Sequence, residues 1–142
     1  MRRFPVLLIA GLIATAQIQP LLAQTATSTR QVYTQAREEL DALIMQRRLG
    51  DAIRMFDEIV EVDETELAAL DAQMQSLYKK DFESVGLVRS EILKNGFRQE
   101  LIAYWTGRDY LYLYLFMHTD GSDIRLLNFR FDTDFHILND LF

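Results

Sequence analysis

Apolar side chains recur every three or four positions from residue 31 to about 78, and more densely, in runs bounded by turn signals, from residue 86 onward. The first spacing is that of one helix face and the second that of strands, so a helical front half precedes a strand-rich back half. From Gln31 to Leu49 the stripe Val32, Ala36, Leu40, Leu43 and Ile44 predicts an amphipathic helix, with Gly50 placed to end it. Asp51 is the expected cap of a second helix carrying Ile53, Phe56 and Val60 on its inner face. Asp63, with Glu66 three residues on, reads as the capping box of a third helix whose stripe is Leu67, Leu70, Met74 and Leu77, with Tyr78 beside it.

In the back half, Asn95-Gly96, Gly107-Arg108 and Asp120-Gly121 separate apolar runs. These are the dipeptides that two-residue hairpins use, because they adopt positive φ. Four antiparallel strands follow, at about Gly86–Lys94, Phe97–Thr106, Asp109–Thr119 and Ser122–Asp132. The expected fold is α+β: three N-terminal amphipathic helices on a four-stranded antiparallel meander, then a short C-terminal helix capped by Asp134.

Tight turns fix the pairing, and pairing fixes the faces. One face collects Val88, Ile92, Leu101, Ala103, Trp105, Tyr110, Tyr112, Tyr114, Phe116, Leu127, Phe129 and Phe131. The other collects Leu87, Leu93, Ile102, Tyr104, Leu111, Leu113, Leu115, Met117, Ile124 and Leu126, with Arg89, Glu91, Arg98, Glu100 and Arg130 around them. In this register Glu91 lies opposite Glu100. Both faces of the third strand are apolar, so each needs a cover. The helices are expected on the aromatic face, where they bury the larger area. The aliphatic face is left to the segment Phe135–Phe142, a rearranged helix or a second molecule. A homodimer through Ile102, Leu111, Leu113, Leu115, Met117 and Leu126 is the first expectation.

Residues 1–23 change the picture of where the chain works. Arg2 and Arg3, the apolar run Val6–Ala14, Pro20 and Ala23 form the three regions of a secretory signal peptide. The apolar run is too short to span a bilayer, so no membrane span is expected after cleavage. Residues 24–30 read as a flexible leader and 31–142 as a single domain in the periplasm or outside the cell. Removing residues 1–23 from the 142 leaves 119 and takes away two positive charges and no acid, moving the formal charge from −6 to −8. Such an acidic chain is a poor partner for nucleic acid or anionic lipid. With no cysteine, an exported fold rests on burial alone, and thiol chemistry, lipoprotein anchoring and thiolate zinc are excluded.

The polar members of the aromatic face gather at the Asp120-Gly121 end: Gln99, His118, Asp123 and Arg125 around Phe116. With Tyr112 and Tyr114 they outline an apolar cleft with a polar mouth, suited to an apolar small molecule with one polar end. His118 opposite Asp123 is the one candidate acid–base pair. The alternative, a frayed hairpin end meeting water, is favoured by the usual polarity of strand ends. The Tyr110/Tyr112/Tyr114 row likewise reads as cross-strand packing rather than a sugar platform. Asp132, Asp134, Asn139 and Asp140 lack the glycine and bidentate glutamate of a calcium loop, and no metal or cofactor is expected.

The stretch Leu40–Asp63, centred on Leu49-Gly50-Asp51-Ala52-Ile53, resembles one unit of a tetratricopeptide repeat. No second copy lies 34 residues on, so an isolated antiparallel helix pair is the better reading. From Leu40 to Asp132, amphipathic helices precede the aromatic-rich strands Glu100–Trp105, Tyr110–Phe116 and Arg125–Phe131. That layout resembles the nuclear transport factor 2-like (cystatin-like α+β) superfamily. The exported layout and the ending Asn128–Asp134 look like those of small periplasmic bacterial proteins. The resemblance implies a cone-shaped pocket between sheet and helices, used by isomerases, dehydratases and non-catalytic dimers. Catalytic members hold a carboxylate or histidine deep on the concave face; here those positions fall to Tyr112, Tyr114, Leu101 and Phe129. The expected function is therefore an exported, non-enzymatic, self-associating interaction protein. A pocket protein for an apolar small molecule or lipid comes second, and a hydratase- or isomerase-like enzyme using His118 and Asp123 third.

Overall fold

The computed structural model describes residues 21–56, 62–121 and 123–142, with side chains from residue 29 onward. It is an α+β domain with a four-stranded antiparallel sheet in the order β1-β2-β3-β4. The elements are α1 (Leu21–Met45), α2 (Leu49–Arg54), α3 (Glu64–Leu77), β1 (Ser84–Ile92), β2 (Phe97–Thr106), β3 (Asp109–Asp120), β4 (Asp123–Asp132) and α4 (Phe135–Asn139). Residues 1–20, most of the expected signal peptide, and Val60 lie outside the described residues.

Three helix expectations need correction. Residues 24–30, read as a flexible leader, are the opening turns of α1, and the Thr29 hydroxyl donates to the Gly121 carbonyl at 2.9 Å. Helix α1 stops at Met45, five residues short of Gly50, and Arg47 takes the left-handed conformation (φ 62°) expected of the glycine. Arg47 is held there by Asp81 at 2.8 Å and by the Tyr78 carbonyl at 3.0 Å. Gly50 instead sits inside α2 because α3 crosses it closely. A Cβ there would lie 2.0 Å from the Leu67 carbonyl oxygen, and its N–H donates to Asp71 at 2.7 Å.

Asp51 does not cap α2; it lies in the first turn, paired with Arg48 and Arg54. Asp63 caps α3, accepting from the Thr65 N–H, and Asp134 caps α4, accepting from the His136 N–H. Along α3, Leu67 and Met74 are buried, whereas Leu77 is exposed and Tyr78, just beyond the helix, is buried in its place.

The sheet departs from expectation in register at two of its three turns. Gly107-Arg108 makes a two-residue turn, with Thr106 opposite Asp109 and Trp105 opposite Tyr110. Asn95-Gly96 belongs to a wider loop: Asn95 (φ 59°) and Gly96 (φ 83°) are both left-handed, and Leu93 N–H bonds the Phe97 carbonyl. The pairing slips by one residue, so Glu91 faces Gln99 and Ser90 faces Glu100. A bulge between Leu87 and Arg89 then restores the inner face at Leu87 opposite Ile102. At the last hairpin the turn moves on by one position, so Asp120 faces Asp123 and the pairing shifts by two residues, which leaves the faces unchanged. A bulge there, between Phe116 and Met117 on β3 and across Leu127 on β4, swings Phe129 and Phe131 to the face of Leu113 and Leu115. Arg130 moves to the face of Tyr114.

The covers are exchanged relative to the sequence reading. Helices α1–α3 lie on the aliphatic face: Leu40, Ile44, Leu49, Ile53, Leu67 and Met74 form one core with Ile102, Tyr104, Leu111, Leu113, Leu115, Met117 and Leu126. The C-terminal segment covers the aromatic face, where Leu138 is buried with Leu101 and Tyr114 and flanked by Phe135, Leu141 and Phe142. The charges of β2 had counted against the helices as the cover of this face. They are matched by charges on α1, which is why the helices can sit there.

Candidate functional site

The helix-covered face holds a buried polar cluster that sequence reasoning missed. Tyr33, Arg37 and Asp41 recur every four residues along one side of α1 and meet Arg98, Glu100 and Tyr104, which alternate along one face of β2. Glu100 has no exposed surface. It accepts a hydrogen bond from the Tyr33 hydroxyl, lies 3.5 Å from Arg37 Nε, and accepts from Arg98 Nη1 at 3.4 Å. The Arg98 guanidinium stacks 4.0 Å above the Tyr33 ring. Asp41 pairs with Arg37 Nη2 at 3.2 Å and accepts from the Tyr104 hydroxyl at 2.6 Å. Two carboxylates and two guanidiniums balance, which is what allows the group to be buried. The signal was available in the sequence as the 33/37/41 spacing; it went unread because the helices were expected on the other face of the sheet.

Burial, and next the Glu100 bond, pushes the Tyr33 hydroxyl up to about 12. Burial and the Asp41 carboxylate push Tyr104 well above the usual tyrosine range. Burial also raises Asp41, against the opposing pull of the Tyr104 bond and Arg37. Tyr78 is raised to about 12 by burial and the nearby Asp109 and Asp132, and Tyr114 is raised by burial. Below about pH 10 these tyrosines are neutral folded and unfolded, and their contribution to stability is complete. As pH rises from there through about 12, the unfolded chain releases protons that the folded chain retains, so stability falls. Tyrosinate absorbance should therefore appear late for Tyr33, Tyr78, Tyr104 and Tyr114, in one step with loss of near-ultraviolet circular dichroism. Ionisation of all six tyrosines at ordinary pH with the fold intact would refute the burial described.

On the opposite face Gln99 and Tyr114, expected to line a cleft, are engaged by the chain itself. Tyr114 donates to Gln99 Oε1 at 3.1 Å, and Gln99 Nε2 donates to Glu91 at 3.0 Å. Arg89 bridges Glu91 at 2.8 Å and Asn139 at 3.1 Å while lying 4.3 Å over the Phe142 ring. The Arg89 bond first, then that from Gln99, hold the Glu91 carboxyl below its usual range. Phe142 meets Tyr114 edge-on at 5.5 Å, and Phe135 meets Tyr112 at 5.7 Å. The shifted register takes Asp123 from the position directly opposite His118. His118 lies opposite Arg125, and Asp123 opposite Asp120. The His118 ring stacks on Phe97 at 4.4 Å, with Nε2 3.0 Å from the Asn95 carbonyl. Phe116 stacks on the same Phe97 at 5.8 Å.

The six residues expected at an interface, Ile102, Leu111, Leu113, Leu115, Met117 and Leu126, are core residues beneath the helices. A partner on that face would have to displace α1–α3. Beside the polar cluster, a dimple between Tyr33, Arg37, Leu40, Phe56 and Met117 has no space for a water-sized guest. Two open clefts flank the Gly107 turn. One of about 460 Å³ lies between Lys79, Phe82, Thr106 and Arg108, and one of about 350 Å³ between Leu77, Tyr78, Tyr110, Tyr112 and Thr133.

Among the described residues no group of three or more histidine, aspartate or glutamate side chains is placed to hold a metal, and no helix is long and apolar enough to cross a membrane. Comparison of the chain with protein-family models, with curated proteins and with solved structures finds no match.

Proposed function

We propose that this is an exported interaction protein that acts through its outer surface rather than through an interior chamber. One observation carries the reading: the chain's own helices cover the middle of both sheet faces, and the polar side chains beneath them mostly pair with one another. Glu100 does occupy a deep position on the helix-covered face, where a nuclear transport factor 2-like enzyme would keep a carboxylate. Its neighbours Tyr33, Arg37 and Arg98 fill the space a substrate would need. A native mass spectrum of the exported protein tests the reading. The expected result is protein free of small-molecule adducts; a retained adduct would overturn it in favour of an internal pocket.

A second reading rests on the aromatic row Trp105, Tyr110 and Tyr112, whose rings follow one another at 6.1 and 6.0 Å and are nearly parallel. The row borders the cleft beside Leu77 and Thr133, where a flat or apolar small molecule would stack.

A further inference from the structure

We infer that the outer edge of β1 pairs with β1 of a second copy of this chain, antiparallel about a two-fold axis at Ser90. This deepens the proposed surface role and rests on it. Strand β1 is an edge strand: β2 is its neighbour on one side, and no described strand lies on the other. Of the seven large apolar side chains exposed among the described residues, four lie on this strand or its exit: Leu87, Val88, Ile92 and Leu93. Ile92 is the most open, at 75%. Soluble proteins blunt such edges with charge or leave them for a strand-adding partner.

The pattern of β1 selects a second copy as the partner. Counting back from Ile92, which faces Arg98 on the helix side of the sheet, residues 92, 90 and 88 alternate with 91 and 89. A two-fold axis normal to the sheet keeps each side chain on its own face, so a residue can face only one of the same parity. Centring the axis on Arg89 or on Glu91 sets like charge against like. Centring it on Val88 or Ile92 sets Arg89 and Glu91 against uncharged residues. Only Ser90 at the centre sets Arg89 against the second copy's Glu91 twice, with Val88 against the second copy's Ile92 twice. Opposite charges and paired β-branched side chains directly across an antiparallel pair are the favourable combinations. The two charges that keep this edge from pairing indiscriminately are thus complementary to themselves. The bulge at Val88 marks one end of the regular stretch, and the turn out of Ile92 marks the other.

Sedimentation of the purified full domain from micromolar to millimolar concentration tests the pairing. The expected result is a monomer–dimer equilibrium that Ile92→Lys and Val88→Lys each weaken by about tenfold or more, since symmetry removes two contacts per change. Both side chains are exposed, so the fold should survive. Leu77→Lys, exposed but remote from β1, should leave association unchanged. Arg89→Glu should weaken it, and the exchange Arg89→Glu with Glu91→Arg in one chain should restore it while also preserving the 89–91 contact within the chain. Amide exchange should slow with concentration only around residues 86–94. A monomer throughout the range would overturn the inference while leaving the surface role to be judged by the adduct experiment. A dimer indifferent to Ile92→Lys and Val88→Lys would overturn it as well.

Discussion

Arg37→Met is expected to lower the stability of the domain by about 3 kcal/mol, the low end of the range for removing one partner of a buried pair. Arg37 stands between both carboxylates of the helix-side cluster, at 3.2 Å from Asp41 and 3.5 Å from the fully buried Glu100. Its loss leaves Glu100 with Arg98 at 3.4 Å and the Tyr33 hydroxyl, which places the cost at the low end rather than the high one. Glu100→Leu alone should also destabilise, because two guanidiniums then lose their shared partner. The double variant Arg37→Met/Glu100→Leu should recover at least about 1 kcal/mol relative to the sum of the singles, as coupled groups do. Denaturant unfolding of the four proteins measures this. Additive costs, or a single change costing less than about 0.5 kcal/mol as at an ordinary surface site, would mean that the cluster does not bind α1 to the sheet.

Gly50→Ala should cost about 3 kcal/mol, the upper part of the range for forcing one extra carbon into a packed interior. The added methyl would sit 2.0 Å from the Leu67 carbonyl oxygen and 2.8 Å from its carbon. Both are backbone atoms and cannot rotate away. Helices α2 and α3 would have to separate, stretching the 2.7 Å bond from the Gly50 N–H to Asp71. Gly107→Ala is the control: nothing lies within 4 Å of its added carbon, and only the strain of φ 58° opposes it, about 1 kcal/mol. Equal melting-temperature losses at the two positions would contradict the close helix crossing.

These two sites show where the sequence could be read and where it could not. The β2–β3 hairpin was legible because Gly107-Arg108 closes a two-residue turn, so each pair from Thr106/Asp109 to Phe97/His118 follows by counting. The flanking hairpins were not, because Asn95-Gly96 opens a wider loop and each outer strand contains a bulge. A one-residue slip reverses every assignment beyond it, and the bulge across Leu127 so turned Phe129 and Phe131 toward the helices, while a two-residue shift at the turn set Asp123 opposite Asp120 instead of His118. Gly50 was legible as a glycine position but not as a helix crossing, because its reason lies 17 residues away at Leu67.

The exchange of covers has a single physical cause. Apolar area alone favoured the aromatic face for the helices, yet the helices bring charges of their own. Tyr33, Arg37 and Asp41 need Arg98, Glu100 and Tyr104, whereas of the polar set on the other face only Arg89 takes a partner from α4, at Asn139. What α4 brings is Phe135, Leu138, Leu141 and Phe142, which match the aromatic side. Buried polar groups require partners, and here that requirement decides which face the helices take.

The most direct test is a nuclear Overhauser measurement from the Leu138 methyl groups in the folded domain. The account predicts contacts to Leu101 and the Tyr114 ring, with Leu40 and Ile44 methyl groups touching the aliphatic face of β2 and β3 instead. Contacts from Leu40 or Ile44 to the Tyr112 and Tyr114 rings would put the helices on the aromatic face and contradict it.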